Sequence, residues 1–210
     1  MSAFKNVLGS VACALLLTPL AAEAGPLTVV NVSAPSINCV FNPTCTVVVT
    51  DTVDTIAIPG VGGTARLQSR AYSGAPGAPA ASLMGYEYRV DLTAAKALQK
   101  PNCVTRLIAD IGPIASLPYS PTGAPAQVFV VTGGGLGTIG LSSAIQSGKL
   151  IEFNFSKPVC PGLAATTAVI PGQTSFFFGF AAKTMPMPST AHLAFSMGGG
   201  TATADRVPTH

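Results

Sequence analysis

The chain has 210 residues, of which 11 are basic and 8 acidic, giving a formal net charge of +3. Charged residues make up only 9%, against roughly a quarter in an average soluble domain, so the dense basic surface of a nucleic-acid binder is missing. The 22 glycines and 18 prolines argue against a coiled coil or helical bundle. Abundant aliphatic residues and a small net charge argue against disorder.

Residues 1–24 have the three parts of a secretory signal peptide. Lys5 supplies positive charge, residues 11–20 form an apolar run, and small residues flank Glu23 before the expected cleavage site. This apolar run is too short to cross a bilayer, which needs about 20 residues. We therefore predict cleavage after Ala24 and no transmembrane anchor, with the mature chain secreted or in the periplasm of a bacterium.

Cleavage leaves four cysteines, Cys39, Cys45, Cys103 and Cys160. Four cysteines in an exported chain are typical of two disulfides. We favour Cys39–Cys45 because an Asn-Pro turn sequence lies between them and would bring the two residues close enough to bond. Cys103–Cys160 then follows by elimination. A metal or redox site is not favoured, since no C-x-x-C sequence occurs.

Segments with a period of two, rich in Val, Thr, Ile and Phe, predict β-strands. In chain order these are Leu27–Ser33, Cys45–Thr50, Thr55–Ile58, 66–71, 86–92, Val104–Ile108, Val128–Thr132, 150–155, Ser175–Ala182 and His192–Met197. Gly- and Pro-rich turns separate them, and only Thr93–Gln99 has a helix-favouring composition. The phenylalanines within 176–180 are expected to pack in the core.

These elements predict one all-β domain over residues 25–197. We expect an antiparallel β-sandwich rather than a barrel, with about ten short strands, long Gly/Pro loops and at most one short helix. Residues 198–210 are rich in Gly and Thr and are expected to form a flexible C-terminal tail.

Two predicted strands have complementary charge patterns. We expect 66–71 and 86–91 to pair antiparallel with Arg66 opposite Asp91. In this register, charged and polar side chains meet on one face of the pair, whereas the apolar side chains and Ser69 lie on the other face. We call the first face the polar stripe; it comprises Arg66, Gln68, Arg70, Glu87, Arg89 and Asp91. Arginine forks suit carboxylates and sugar hydroxyls, so the stripe is a candidate binding surface. A plain solvated sheet face is the alternative.

Two motifs resemble functional sequences, but their context argues against that role. Residues 135–140 match G-x-G-x-x-G, yet the segment that follows is too short for the helix that would hold pyrophosphate. Ser196 lies in a sequence similar to a nucleophile elbow, with Asp205 and His210 after it, but too little chain remains to build the elbow's strand-to-helix turn. We predict no catalytic residue and no cofactor, and little effect of Ser196→Ala.

Asp51 and Asp54 are a candidate site for calcium, which prefers oxygen ligands. A turn in which aspartate side chains cap backbone groups is the alternative. No other metal site is predicted.

Three functions stay open. The first is a structural or adhesive surface protein that assembles with itself or contacts a surface protein or glycan, with Leu27–Ser33 as the candidate exposed edge strand. The second is a glycan- or peptide-binding module that uses the polar stripe. The third is a secreted hydrolase, although the residue inventory leans away from an enzyme.

Overall fold

The structure, a computed structural model, describes residues 24–120, 123–164 and 169–208. The predicted signal peptide, apart from Ala24, lies outside them. The described chain forms two β-sheets packed against each other and one helix, which confirms the predicted all-β sandwich. Its elements are β1 (Gly25–Leu27), β2 (Val29–Ser33), α1 (Ala34–Phe41), β3 (Thr50–Ile56), β4 (Val61–Ser73), β5 (Met84–Ala97), β6 (Val104–Asp110), β7 (Val128–Gly133), β8 (Leu141–Ser147), β9 (Leu150–Val159), β10 (Gly162–Ala164), β11 (Val169–Ile170), β12 (Phe178–Ala182), β13 (Pro186–Phe195) and β14 (Gly198–Pro208).

The first sheet, sheet I, has the strand order β1-β8-β9-β6-β13-β14. The second, sheet II, is built around the long strand β5. On one edge of β5 lies β4, with β3 beyond it. Its other edge is shared by β12, which leads on to β7 and β2, and by the short β10 and β11. The chain therefore has more strands than the ten or so we expected, and β4 and β5 are long.

Aromatic rings fill the space between the sheets. Tyr86 stacks on Phe180 with ring centroids 5.5 Å apart, and Phe153 of sheet I lies 5.2 Å from Phe178 of sheet II. These four side chains are almost completely buried. The alternation of inward and outward residues along β5, β9 and β12 places these rings on the inner faces, which is why a period of two was visible in the sequence.

The predicted register of 66–71 with 86–91 is confirmed. Arg66 faces Asp91, Gln68 faces Arg89, and Arg70 faces Glu87 across the β4–β5 pair. The intervening residues point into the core between the sheets, where Leu67, Tyr88 and Val90 are fully buried. Charge complementarity on one face and apolar burial on the other select the same register.

The outer face of sheet II is covered by α1 rather than left in water. The helix follows β2 directly and has a proline in its first turn, a position that favours helix initiation. It buries Ile37, Val40 and Phe41 against the sheet, and the ring of Phe41 meets Tyr72 edge-on at 4.8 Å. A second hydrophobic cluster therefore lies on the side of sheet II opposite the main core.

Both predicted disulfides are present. Cys39–Cys45 links α1 to the loop after it, where Asn42 ends the helix by donating its backbone N–H to the Asn38 carbonyl. Cys103–Cys160 joins the residue before β6 to the residue after β9, next to the paired residues Val104 and Val159 of sheet I.

The structure differs from the sequence prediction in several segments, and the helix α1 was not predicted. Thr93–Gln99 was expected to be helical, but β5 continues to Ala97 because β4 and β10 supply backbone partners that outweigh helix propensity. Residues 46–49, expected as strand, are irregular up to the start of β3 at Thr50. Gly198–Pro208, assigned to the tail, forms β14 against β13, since ladder hydrogen bonds need no bulky side chains.

Candidate functional site

A cavity of about 370 Å³ lies on the outer face of sheet II. We call it the α1 cavity because α1 forms one wall, and residues 46–49 and the β7–β8 loop form others. Its apolar lining comes mainly from Ile37, Val47, Val49, Val131, Leu136 and Phe177. Its polar and charged side chains include Arg70 and Tyr72 of β4 and Glu87 of β5. A concave, mostly apolar site of this size with few polar groups is typical of a small-molecule pocket.

Glu87 is a carboxylate in an almost dry position, since the residue is only 6% exposed. The Tyr72 hydroxyl donates a hydrogen bond of 2.9 Å to its Oε1. Arg70 Nη1 lies 3.9 Å from its Oε2, and Arg70 Nε donates to Asp51 Oδ2 at 3.1 Å. The β4–β5 register places Arg70 opposite Glu87, and β3 places Asp51 opposite Arg70.

Burial raises the pKa of Glu87, because removal from water penalises the charged carboxylate. The hydrogen bond from Tyr72 and the charge of Arg70 act in the opposite direction, and the charge of Asp51 adds to the increase. Burial, followed by the charge of Glu87, also raises the pKa of Tyr72 well above its ordinary value. Tyr72 therefore stays protonated at neutral pH and remains a hydrogen-bond donor.

Phe177 holds the arginines in place beside the cavity. The guanidinium of Arg70 lies 3.9 Å from the Phe177 ring centroid, and that of Arg89 lies 5.2 Å from it. Cations stacked on an aromatic face within about 6 Å are stabilised by the ring quadrupole. The expectation of core packing for the phenylalanines thus applies to Phe178 and Phe180 between the sheets, whereas Phe177 is buried on the outer side.

The polar stripe divides into two parts. Arg70 and Glu87 line the α1 cavity. Farther along, Arg89 Nε donates to Gln68 Oε1 at 3.0 Å, and its Nη2 lies 3.4 Å from Asp91 Oδ2. Arg66 is exposed and does not line the cavity. The Gln68–Asp91 part therefore consists largely of side chains that satisfy one another, whereas the Arg70–Glu87 part reaches a concave site.

The positions of Asp51 and Asp54 on β3 argue against a shared calcium site. Both lie on β3, where residues three apart point to opposite faces of the sheet. Asp51 contacts Gln68 and Arg70 on the outer face, while Asp54 is opposite the inward-facing Leu67. This arrangement does not favour one ion bound by both carboxylates. Among the described residues, no group of three His, Cys, Asp or Glu side chains is arranged to hold a metal.

The two discounted motifs have structural roles. Residues 134–138 form a loop that leads to β8 without a helix, as predicted, and Gly134, Gly135 and Leu136 form part of the cavity wall. Ser196 lies in the turn between β13 and β14, where its Oγ accepts from the Cys103 N–H at 3.0 Å and donates to Asn102 Oδ1 at 3.3 Å. His210 lies outside the described residues, as does the side chain of Asp205.

The sequence did not identify most of the residues that line the α1 cavity. It did not identify α1, Val47 or Val49, and it left out Tyr72. The signal for Tyr72 was available, because it continues the alternation of Gln68 and Arg70 onto the same face of β4. A bulky aromatic residue on a face predicted to be wet indicates that another element covers it.

Comparison with protein-family models, with curated proteins and with solved structures finds no match to this chain. No helix in the described ranges is long and apolar enough to cross a membrane.

Proposed function

We propose that this protein is an exported ligand-binding module that holds a small, largely apolar molecule in the α1 cavity. One observation carries the proposal: the buried carboxylate of Glu87 lines a concave site whose other walls are mostly apolar. Apolar walls supply affinity, and a few fixed polar groups supply orientation and specificity. The cavity thus favours the binding alternative, with a concave site in place of a flat sheet face.

The cellular location that we propose is the periplasm or the outside of a bacterial cell. Two disulfides fit an oxidising compartment, and the first 24 residues have the pattern of a signal peptide. A ligand in such a compartment reaches the cavity without crossing the cytoplasmic membrane.

The test is a thermal-shift screen of small apolar compounds against the oxidised mature protein, residues 25–210. Because a ligand that binds only the folded state raises the unfolding temperature, hits are expected. The cavity variant Ala34→Leu adds side-chain volume at a residue that lines the site and should abolish those shifts. Ala94→Leu adds the same volume at an exposed position of β5 and should retain them.

Two results would contradict the proposal. One is a screen without hits on the wild-type protein. The other is a set of hits that Ala34→Leu and Ala94→Leu affect equally, since this would place binding outside the α1 cavity.

Self-assembly in a structural or adhesive role is the second candidate, and the sheet edges favour it. The chain passes from β1 at the edge of sheet I to β2 at the edge of sheet II, separated only by Thr28. Each of these strands has one neighbouring strand within the described chain. Unpaired strand edges are a route to assembly.

Light scattering on the mature protein tests this second candidate. Assemblies that grow with concentration and disappear in Asn31→Lys would support it, because a charge on an exposed edge residue blocks strand addition. A point variant is preferable to deletion of residues 25–33, because that deletion would also remove the partners of β7 and β8. A wild-type monomer at all concentrations would refute assembly.

A further inference from the structure

The carboxylate of Glu87 has spare capacity to accept hydrogen bonds. Within the described chain its one hydrogen bond is from the Tyr72 hydroxyl to Oε1. Oε2 is 3.9 Å from Arg70 Nη1, which is too long for a hydrogen bond. An ionised carboxylate offers about four lone-pair sites. Because Glu87 is nearly buried but lines the α1 cavity, a donor from outside the chain would reach it through that cavity.

Arg70 is a poor partner for an anionic ligand because its charge already faces two carboxylates. Its Nε donates to Asp51 Oδ2 at 3.1 Å, its Nη1 points toward Glu87, and its guanidinium stacks on Phe177. The positive charge is therefore shared between two carboxylates. An entering anion would have to compete with both.

The charge of the site favours a cation. Asp51, Glu87 and Asp91 contribute −1 each, and Arg70 and Arg89, which both lie against Phe177, contribute +1 each, so the five sum to −1 when all are ionised. The other walls add no titratable side chain: α1 contains only Cys39, which is in a disulfide, and residues 46–49 and 134–136 are Thr, Val, Gly and Leu. Glu87 is the nearly buried member of this group, and a buried negative charge is costly unless it is paired.

We infer that the ligand of the α1 cavity is a small organic cation, a primary amine carried on an apolar body. Its ammonium group would donate to Glu87 Oε2, and its body would contact Ile37, Val131 and Phe177. An ammonium group has three donors and no acceptor, which complements the acceptor left on Glu87. This inference rests on the proposed function and names the ligand class for the same cavity.

The protonation of Glu87 gives the binding a pH signature. Burial raises the pKa of Glu87, and a bound ammonium group would favour the ionised carboxylate and lower that pKa again. Arg70 and Tyr72 on β4 and Asp51 on β3 are the titratable groups that interact with it. Amine affinity should therefore fall as the pH drops through the pKa of Glu87, whereas the affinity of an uncharged analogue should not follow this titration.

Calorimetry with three probes of similar shape tests the inference on the oxidised mature protein. The probes are phenethylamine, phenethyl alcohol and hydrocinnamate, which share a phenyl body and differ in the charge of the head group. At neutral pH we expect the amine to bind about tenfold more tightly than the alcohol, and the acid most weakly. Glu87→Gln keeps an oxygen for Tyr72 but removes the charge, and should weaken the amine about tenfold or more while weakening the alcohol much less.

A rim variant serves as the control for location. Leu136 lines the cavity but is 60% exposed, so Leu136→Ala should weaken the amine and the alcohol alike without unfolding the protein. If Glu87→Gln fails to fold, the pH dependence of amine binding by the wild-type protein tests the same point.

The inference is overturned if hydrocinnamate binds best, if Glu87→Gln leaves amine affinity unchanged, or if amine and alcohol show the same pH dependence. In any of these cases, binding that Ala34→Leu abolishes would still support the proposed function. If neither these probes nor the screened compounds bind the wild-type protein, both proposals fail.

Discussion

Removing the two disulfides separately should show that loop length determines how much each stabilises the fold. Cys103–Cys160 spans 57 positions of sequence, whereas Cys39–Cys45 spans 6. A cross-link restricts the unfolded chain more when it closes a longer loop. The chain-entropy relation gives about 4 kcal/mol for the long loop and about 2 kcal/mol for the short one.

The burial of the cysteines also predicts a larger loss of stability for Cys103–Cys160 than for Cys39–Cys45. Cys103 is only 6% exposed and precedes the fully buried Val104, which pairs with Val159. Cys45 is exposed. Replacing Cys103 by alanine therefore also removes a packed sulfur atom from the edge of the core. This cost is smaller for the Cys39–Cys45 pair, in which Cys39 is half-buried and Cys45 exposed.

Urea unfolding of the two double variants is the assay. Cys103→Ala/Cys160→Ala should lose about 4 kcal/mol and Cys39→Ala/Cys45→Ala about 2 kcal/mol of the free energy of unfolding. Double variants are needed because a single substitution leaves a reactive thiol. Equal losses, or a larger loss for the short loop, would refute the reasoning.

Three further substitutions test the packing and electrostatics of particular residues. Glu87→Gln should gain stability relative to wild type as the pH rises from about 4.3, the ordinary glutamate pKa. An acid whose pKa is raised by folding stabilises the fold while it is protonated, and this contribution is lost above its folded pKa. The measurement is the free energy of unfolding of both proteins from urea titrations at several pH values, and parallel curves for wild type and Glu87→Gln would contradict this prediction. Gly179→Ala should cost about 3 kcal/mol or more of the free energy of unfolding, because a Cβ would collide with the Tyr86 carbonyl and the Phe129 ring. The control is Gly199→Ala, which has open space around it. Equal melting temperatures of the two variants would refute the clash. Ser196→Ala, for which the sequence predicted little effect, should instead cost about 1–2 kcal/mol of the free energy of unfolding, because the nearly buried Asn102 and the Cys103 N–H each lose a partner. The control is Ser147→Ala at an exposed position, which should be neutral. If Ser196→Ala is also neutral in the same urea titration, the prediction from the structure is wrong.

The sheet pairings that could be predicted were those in which neighbouring strands carry complementary side chains. Arg66 faces Asp91 and Arg70 faces Glu87 because both faces of the β4–β5 pair agree on one register. The Cys39–Cys45 pairing followed from a local turn, and that of Cys103 with Cys160 from the count of four. These inferences needed only the distance along the sequence, the period of two, and the pairing of opposite charges and of cysteines.

Secondary structure failed where a partner strand outweighed local preference. Thr93–Ala97 has helix-forming residues but is extended between β4 and β10. Gly198–Pro208 has few bulky side chains but pairs along β13. Strand pairing depends on what lies alongside, and that neighbour is distant in sequence.

The site itself depended on tertiary structure. The sequence by itself determined an all-β chain with two disulfides, and it identified Arg70 and Glu87 as part of one polar face. Only the folded structure placed α1 and residues 46–49 beside that face, formed the cavity and buried most of Glu87. The reason is physical: periodicity tells which residues share a face, but whether that face is wet or covered depends on elements that reach it from elsewhere in the chain.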